Sequence, residues 1–258
     1  MQTDEYILNS SATIVHLLDT SEAIKHGDDD PADHQMEIEL EHQVLSLKVI
    51  EGKPSQFAGS DSGCLLWSSA EPLAQVLWSK RSELCIPGAC AVELGCGCGL
   101  ASLVLAAAGM HVMATDRDNI LLEVITKTNI AINSADLAAP IHIAQADWGE
   151  FSLVEKSLRA LGNPPVLLVA SDVLYEPDAN EALAKTIREF AMLASSSGFC
   201  FSVVLSWQER SVCAEQSFLE GLADILPVHR TLSERQVHDF FADTGTSTVR
   251  VCQFSSGH

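Results

Sequence analysis

The sequence predicts an α/β fold: a mostly parallel sheet with helices on both faces, preceded by an N-terminal β-hairpin extension. Three observations predict it. From about residue 60 onward, short apolar runs of strand length alternate with longer runs of helical period, and that alternation calls for parallel strands joined by helical crossovers. The strongest strand runs straight into a glycine turn, Leu94-Gly95-Cys96-Gly97-Cys98-Gly99-Leu100, and then into an apolar helix. With 258 residues, 47% of them hydrophobic, the chain is long enough to bury one large core.

Taken in order, residues 1–35 form a polar appendage, acidic at its end and broken by Gly27-Asp28-Asp29-Asp30-Pro31. Residues 36–50, MEIELEHQVLSLKVI, alternate in two pieces and predict a hairpin, so that 36–59 is an N-terminal extension and 60–258 the core of one domain, 36–258. In the core the patterns predict a helix over 69–84, a strand over 89–94, a helix over 100–108, a strand over 111–115 and a helix over 119–132. Strands follow at 141–145 and 166–171, separated by a helix over 151–161. Helix 180–193, strand 199–206 and helix 214–225 come next, and the alternating tail 247–254 predicts a last, antiparallel strand at or near the sheet edge.

Fifteen basic residues against thirty-five acidic ones give a formal charge of −20, which repels phosphate backbones and anionic membranes and tilts any macromolecular partner toward a basic protein. No apolar stretch reaches the roughly 20 residues needed to cross a bilayer. The acidic start, Met1 to Tyr6, is unlike a secretory signal, so a reducing compartment, cytoplasm or nucleus, is expected. Four of the eight cysteines, Cys85, Cys90, Cys96 and Cys98, cluster without the paired CxxC spacing of a zinc site, and His26, His34 and His42 are scattered. No metal is expected.

The chemistry concentrates at the ends of strands, where ligands bind in a doubly wound sheet. A dinucleotide fingerprint needs its third glycine at position 100, where Leu100 stands, and a P-loop needs a Lys with Ser or Thr after the glycines, which is missing. Glu93-x-Gly95-x-Gly97-x-Gly99 resembles instead the first motif of S-adenosylmethionine (SAM)-dependent methyltransferases. Asp116 ends the second core strand, where a carboxylate accepts hydrogen bonds from ribose hydroxyls; the alternative is a cap for the helix starting at Asn119. Asp147-Trp148 follows the third strand, with the indole placed to shelter an adenine ring or, alternatively, to anchor the core.

These segments, with Gly63-Cys64-Leu65-Leu66-Trp67-Ser68-Ser69-Ala70 before the first helix and Ser171-Asp172-Val173-Leu174-Tyr175 after the fourth strand, resemble the family 16 seven-β-strand protein lysine methyltransferases, including the methyltransferase-like 21 group. Gln208-Glu209-Arg210 with Phe218 is similar to that family's segment after its fifth strand. The resemblance implies a Rossmann-like seven-stranded SAM-dependent methyltransferase fold over residues 36–255. It also implies a SAM pocket formed by Trp67, Glu93, Gly95, Cys96, Gly97, Asp116, Asp147, Trp148 and Ser171, with Asp172 and Tyr175 as catalytic residues facing the substrate. The cysteines in the turn and Ser68, where the family often has proline, are departures that leave the pocket intact.

The implied activity is methylation of a lysine in a protein substrate, a chaperone or translation factor, by a monomeric enzyme without a metal. Methyl transfer to an amine is a direct displacement that mainly requires alignment, and a lysine of reference pKa about 10.4 must first lose its proton. Asp172 is then an orienting group for the ammonium rather than a strong base, and Tyr175 an aromatic wall. Two other readings stay open: an arginine or small-amine methyltransferase, and a non-catalytic SAM-binding interaction module.

Overall fold

The computed structural model describes residues 15–18, 34–40, 45–52, 63–150, 152–160, 162–238 and 246–255. Most of the predicted appendage, including His26, and the first part of the core before residue 63 lie outside the described residues.

Three short strands open the chain: β1 (Val15–Leu18), β2 (His34–Leu40) and β3 (Leu45–Glu51). The predicted hairpin is β2–β3, with Ile38 opposite Leu47, and β1 adds antiparallel to its free edge with Val15 opposite Ile38. β1 lies inside the segment read as an appendage, where a run of four residues is too short to show a period. The alternation in β2 and β3 puts Ile38, Leu40, Leu47 and Val49 on one face, buried in the same core cluster as Leu73, Leu77 and Leu103 of the following helices.

The core begins with α1 (Ala70–Ser79) and the one-turn α2 (Arg81–Leu84), followed by β4 (Cys90–Leu94), α3 (Leu100–Ala107) and β5 (His111–Asp116). The next helix is composite: α4 (Asn119–Leu121), a π-turn over Leu122–Thr126, and α5 (Lys127–Ile132). Then come β6 (Ile141–Gln145), α6 (Ser152–Ala160), β7 (Val166–Ser171), α7 (Pro177–Ser197), β8 (Phe201–Gln208), α8 (Val212–Ala223), β9 (Val228–His238) and β10 (Thr246–Ser255). α7 is longer than its apolar pattern predicts, because Pro177 is accommodated in the first turn and the helix runs on to Gly198, whose φ of 72° closes it.

The seven-stranded sheet has the order β6-β5-β4-β7-β8-β10-β9. β4 to β8 pair in parallel, and β10 runs antiparallel between β8 and β9. The fold is therefore Rossmann-like, as the sequence predicts, with one addition: β9, which the sequence pattern does not show, takes the edge, and β10 lies one place inside it. Its sequence, VHRTLSERQVH, carries polar residues on both faces, which suits an edge strand and erases the alternation that identifies a half-buried one.

β4 and β7 are the central pair and their residues are almost wholly buried. The chain leaves β4 toward β5 on one side, while β7 lies on the other. A crevice therefore opens at their carboxyl ends, the switch point where a ligand has room. Among the described residues, no helix is long and apolar enough to cross a membrane. All eight cysteines are free thiols.

Candidate active site

A cavity of about 530 Å³ opens at this switch point. Its floor is the turn after β4. Gly97 has φ 50°, and a β-carbon there would lie 2.8 Å from the carbonyl oxygen of Gly63, so only glycine lets the turn pass beneath the segment leading to α1. Gly95 has φ 68°, and a β-carbon would lie 3.1 Å from the Trp148 ring. Trp148 thus lies over the turn, half-buried at the cavity wall, rather than in the core.

Asp116 hangs over the same floor, with its carboxylate accepting the Gly97 N–H at 3.0 Å and the Asp118 N–H at 3.1 Å. Burial pushes its pKa above the ordinary carboxylate value, opposed by those N–H groups. The cap of the following helix is Asp118, whose carboxylate accepts from Ile120 and Leu121. That removes the capping alternative for Asp116 and leaves its other face to the cavity.

Two predicted cofactor residues are placed differently from what their side chains suggest. The Glu93 carboxylate is buried and accepts both the backbone N–H and the hydroxyl of Ser102, tying β4 to the first turn of α3. Burial pushes its pKa up to about 7, offset in part by the Ser102 donors and reinforced by the charge of Asp116. Cys96 lines the cavity, but its thiol sits 3.9 Å from the Thr126 hydroxyl and packs with Ala114 and Leu122. Both side chains support the turn from behind.

Asp147 is exposed at the rim and accepts the Trp148 N–H at 2.9 Å. Ser171, at the end of β7, has its hydroxyl 3.4 Å from that of Ser69, which in turn is 3.3 Å from the Ser206 hydroxyl on β8. Tyr175 is half exposed at the mouth, its ring centre 6.3 Å from that of Trp148. Burial raises its phenol pKa, opposed by the nearby Arg117 charge.

Asp172 is the largest departure from expectation. It has φ 55°, uncommon for a residue with a side chain, and its carboxylate is 2% exposed. It is not free to receive an ammonium: Arg210 donates to both oxygens, at 2.6 and 3.1 Å. The guanidinium also donates to Gln208 at 3.2 Å and lies over the Trp67 ring, 5.6 Å from its centre. The sequence gives Arg210 no role beyond its place in the Gln208-Glu209-Arg210 segment. The signal that assigns one is a carboxylate buried after β7, which requires a nearby cation.

The cavity thus brings together Trp67, Glu93, the Gly95–Gly97 turn, Asp116, Asp147, Trp148, Ser171, Asp172 and Tyr175, all predicted from sequence, and adds Arg210. A sequence model of the lysine methyltransferase family matches residues 53–224. The chain belongs to this family. Among its relatives, human methyltransferase-like protein 22 is 30% identical over 164 residues, 58% of this chain and 39% of that protein. Human histone-arginine methyltransferase METTL23 is 32% identical over 124 residues, 47% of this chain and 60% of that one. The chain therefore spans less than two thirds of the length of either relative. The solved structure of SMU.776, complexed with SAH (S-adenosylhomocysteine), aligns with TM-score 0.53 at 13% identity over 89% of this chain and 58% of that one, which is agreement in fold.

As a lysine methyltransferase family member, the chain carries a SAM-dependent methyltransferase domain, and the residues present fit the cofactor. The turn is a cradle that a single β-carbon would fill, and Asp116 offers a buried acceptor beside it. Trp148 provides a ring against the wall. In this family member the turn and α3 would hold the amino-acid part of SAM, Asp116 the ribose, and Trp148 with Asp147 the adenine.

Proposed function

We propose that this chain is a SAM-dependent protein N-methyltransferase acting on a lysine side chain. The observation that supports it is the position of the Asp172–Tyr175 segment at the open mouth of a cavity whose floor is the glycine turn, in a chain of the lysine methyltransferase family. When bound, SAM supplies a methyl group on a sulfonium, open to displacement by a nitrogen lone pair.

The chain's own residues do the rest. Trp67, Trp148 and Tyr175 wall the mouth and exclude water from the line of approach. Tyr175 presents an aromatic face and a hydroxyl to the incoming amine. Asp172, already satisfied by Arg210, orients through the pair and does not hold the ammonium as a lone carboxylate would. A mouth in which the carboxylate is neutralised favours the uncharged amine, the form that attacks. The acceptor is a protein, for which we propose a chaperone or translation factor met in the cytoplasm or nucleus, and the acidic surface favours a basic segment of it.

A second reading, arginine methylation, has one observation in its favour besides the METTL23 similarity: Asp172 holds a guanidinium in a two-bonded fork at the mouth. One experiment separates the readings. Purified wild type and Asp172→Ala are supplied with labelled SAM and protein extract from cells lacking the enzyme, and the labelled band is hydrolysed. Methyl-lysine from wild type alone is the expected result. Methyl-arginine would move the assignment to the second reading, and no labelled protein from a preparation that binds SAH would sink both.

A further inference from the structure

We infer that Thr126 and Asn129 are positioning residues for the cofactor: together they hold the glycine turn in the shape that SAM meets. Neither belongs to a glycine or acidic motif, and neither lines the cavity. Both lie on the composite helix after β5, Thr126 closing the π-turn and Asn129 one turn into α5.

Thr126, Asn129 and Asn133 stand at i, i+3 and i+7 on one face and are 0, 0 and 1% exposed, in a core otherwise made of side chains such as Leu121 and Ile125. Polar groups persist at such depth only when bonded, and nearly every bond here ends on backbone. Thr126 Oγ1 donates to the Gly97 carbonyl at 2.7 Å. Asn129 Nδ2 donates to the Cys98 carbonyl at 2.9 Å. The Cys96 thiol lies 3.9 Å from the same hydroxyl and 4.0 Å from the Gly97 carbonyl oxygen. Three consecutive turn residues are thus engaged from behind by two side chains. The Gly97 and Cys98 carbonyls accept from the helix and the Cys96 carbonyl accepts the Gly99 N–H at 2.7 Å, while on the cavity side the Gly97 N–H meets Asp116.

The π-turn supplies the phase. One extra residue in a helical turn rotates everything after it, and here Thr126 and the two asparagines come to face the turn and β3 together. Asn129 reaches both, because it also exchanges hydrogen bonds with the backbone of Ile50 at 2.8 and 3.0 Å. Asn133 pairs with the backbone of Lys48 at 2.7 and 2.8 Å and donates to the Asn129 carbonyl at 2.7 Å, and among the described residues it makes no hydrogen bond to the turn. It is the internal control for a residue that supports the fold but not the turn.

The test is titration calorimetry with S-adenosylhomocysteine, read beside thermal unfolding. Thr126→Val keeps the shape and removes the hydroxyl, so SAH affinity should fall about tenfold, whereas Thr126→Ser should stay within about threefold of wild type. Asn129→Ala should weaken SAH binding at least as much as Thr126→Val. Asn133→Ala should lower the melting temperature and leave SAH affinity within about threefold. Wild-type affinity in Thr126→Val overturns the inference, and so does an Asn133→Ala variant that loses as much affinity as Asn129→Ala. A Thr126→Val chain that fails to fold, while Thr126→Ser folds, assigns the hydroxyl to stability and overturns it equally.

Discussion

At the proposed cofactor end of the cavity, the Asp116 carboxylate reaches back 19 residues to Gly97 and the Thr126 hydroxyl 29 residues to the same glycine. At the proposed acceptor end, Ser68 bonds to Gln208 across 140 residues, and Trp67 faces Arg210 from the same distant segment. The first end is buried and bonded to backbone, so its shape follows from the path of β4, β5 and the helix between β5 and β6. The second is a cluster of side chains around one ion pair, and its shape depends on which rotamers those side chains take. A methyl-transfer site profits from that division: the methyl donor needs a fixed seat, while the acceptor must be admitted and released.

Breaking the acceptor end should have the largest effect on stability. Arg210→Ala leaves the buried Asp172 carboxylate without its partner and should cost about 3 kcal/mol in urea unfolding, most of it recovered in Asp172→Asn/Arg210→Ala. An additive double variant would show that the two residues are not a unit.

Breaking the cofactor end should show in binding. Gly97→Ala drives a methyl against the Gly63 carbonyl in a left-handed conformation, and SAH affinity should fall about a hundredfold in a folded protein. Affinity close to wild type would mean that the turn gives way more easily than its contacts suggest.

The same end carries a pH signature. Glu93 is raised from 4.5 to about 7 in the folded chain by burial, so the folded state holds this proton more tightly than the unfolded one. Its contribution to stability is full below pH 4.5 and is lost as pH rises toward about 7. Glu93→Gln, which keeps an acceptor for the Ser102 N–H, should flatten the decline between those limits by about 3 kcal/mol. Parallel stability curves for wild type and Glu93→Gln would remove the assignment.

The smallest effect sharpens the contrast. Asp116→Ala should weaken SAH about tenfold by leaving the Gly97 N–H unpaired and removing the proposed ribose acceptor, with little change at the acceptor mouth. Unchanged affinity would return Asp116 to a purely structural role.

The sequence by itself determined the parallel sheet and the glycine turn that floors the cavity, because both are local. A strand, a glycine turn and a helix occupy consecutive residues, and Asp116 and Trp148 stand at fixed offsets after their strands, where hydrophobic period and chain geometry leave few alternatives. Even there, residue type alone did not reveal orientation: Glu93 and Cys96 lie in the predicted turn, yet their side chains face Ser102 and Thr126. Only the tertiary structure decided that Asp172 is paired, that Arg210 lines the cavity, that β9 is an edge strand and that an asparagine on α5 links β3 to the turn. Each of these depends on which distant segments meet, and periodicity carries no information about pairing at that range. A polar edge strand and a buried polar side chain look alike in sequence until the neighbours that expose one and satisfy the other are in place.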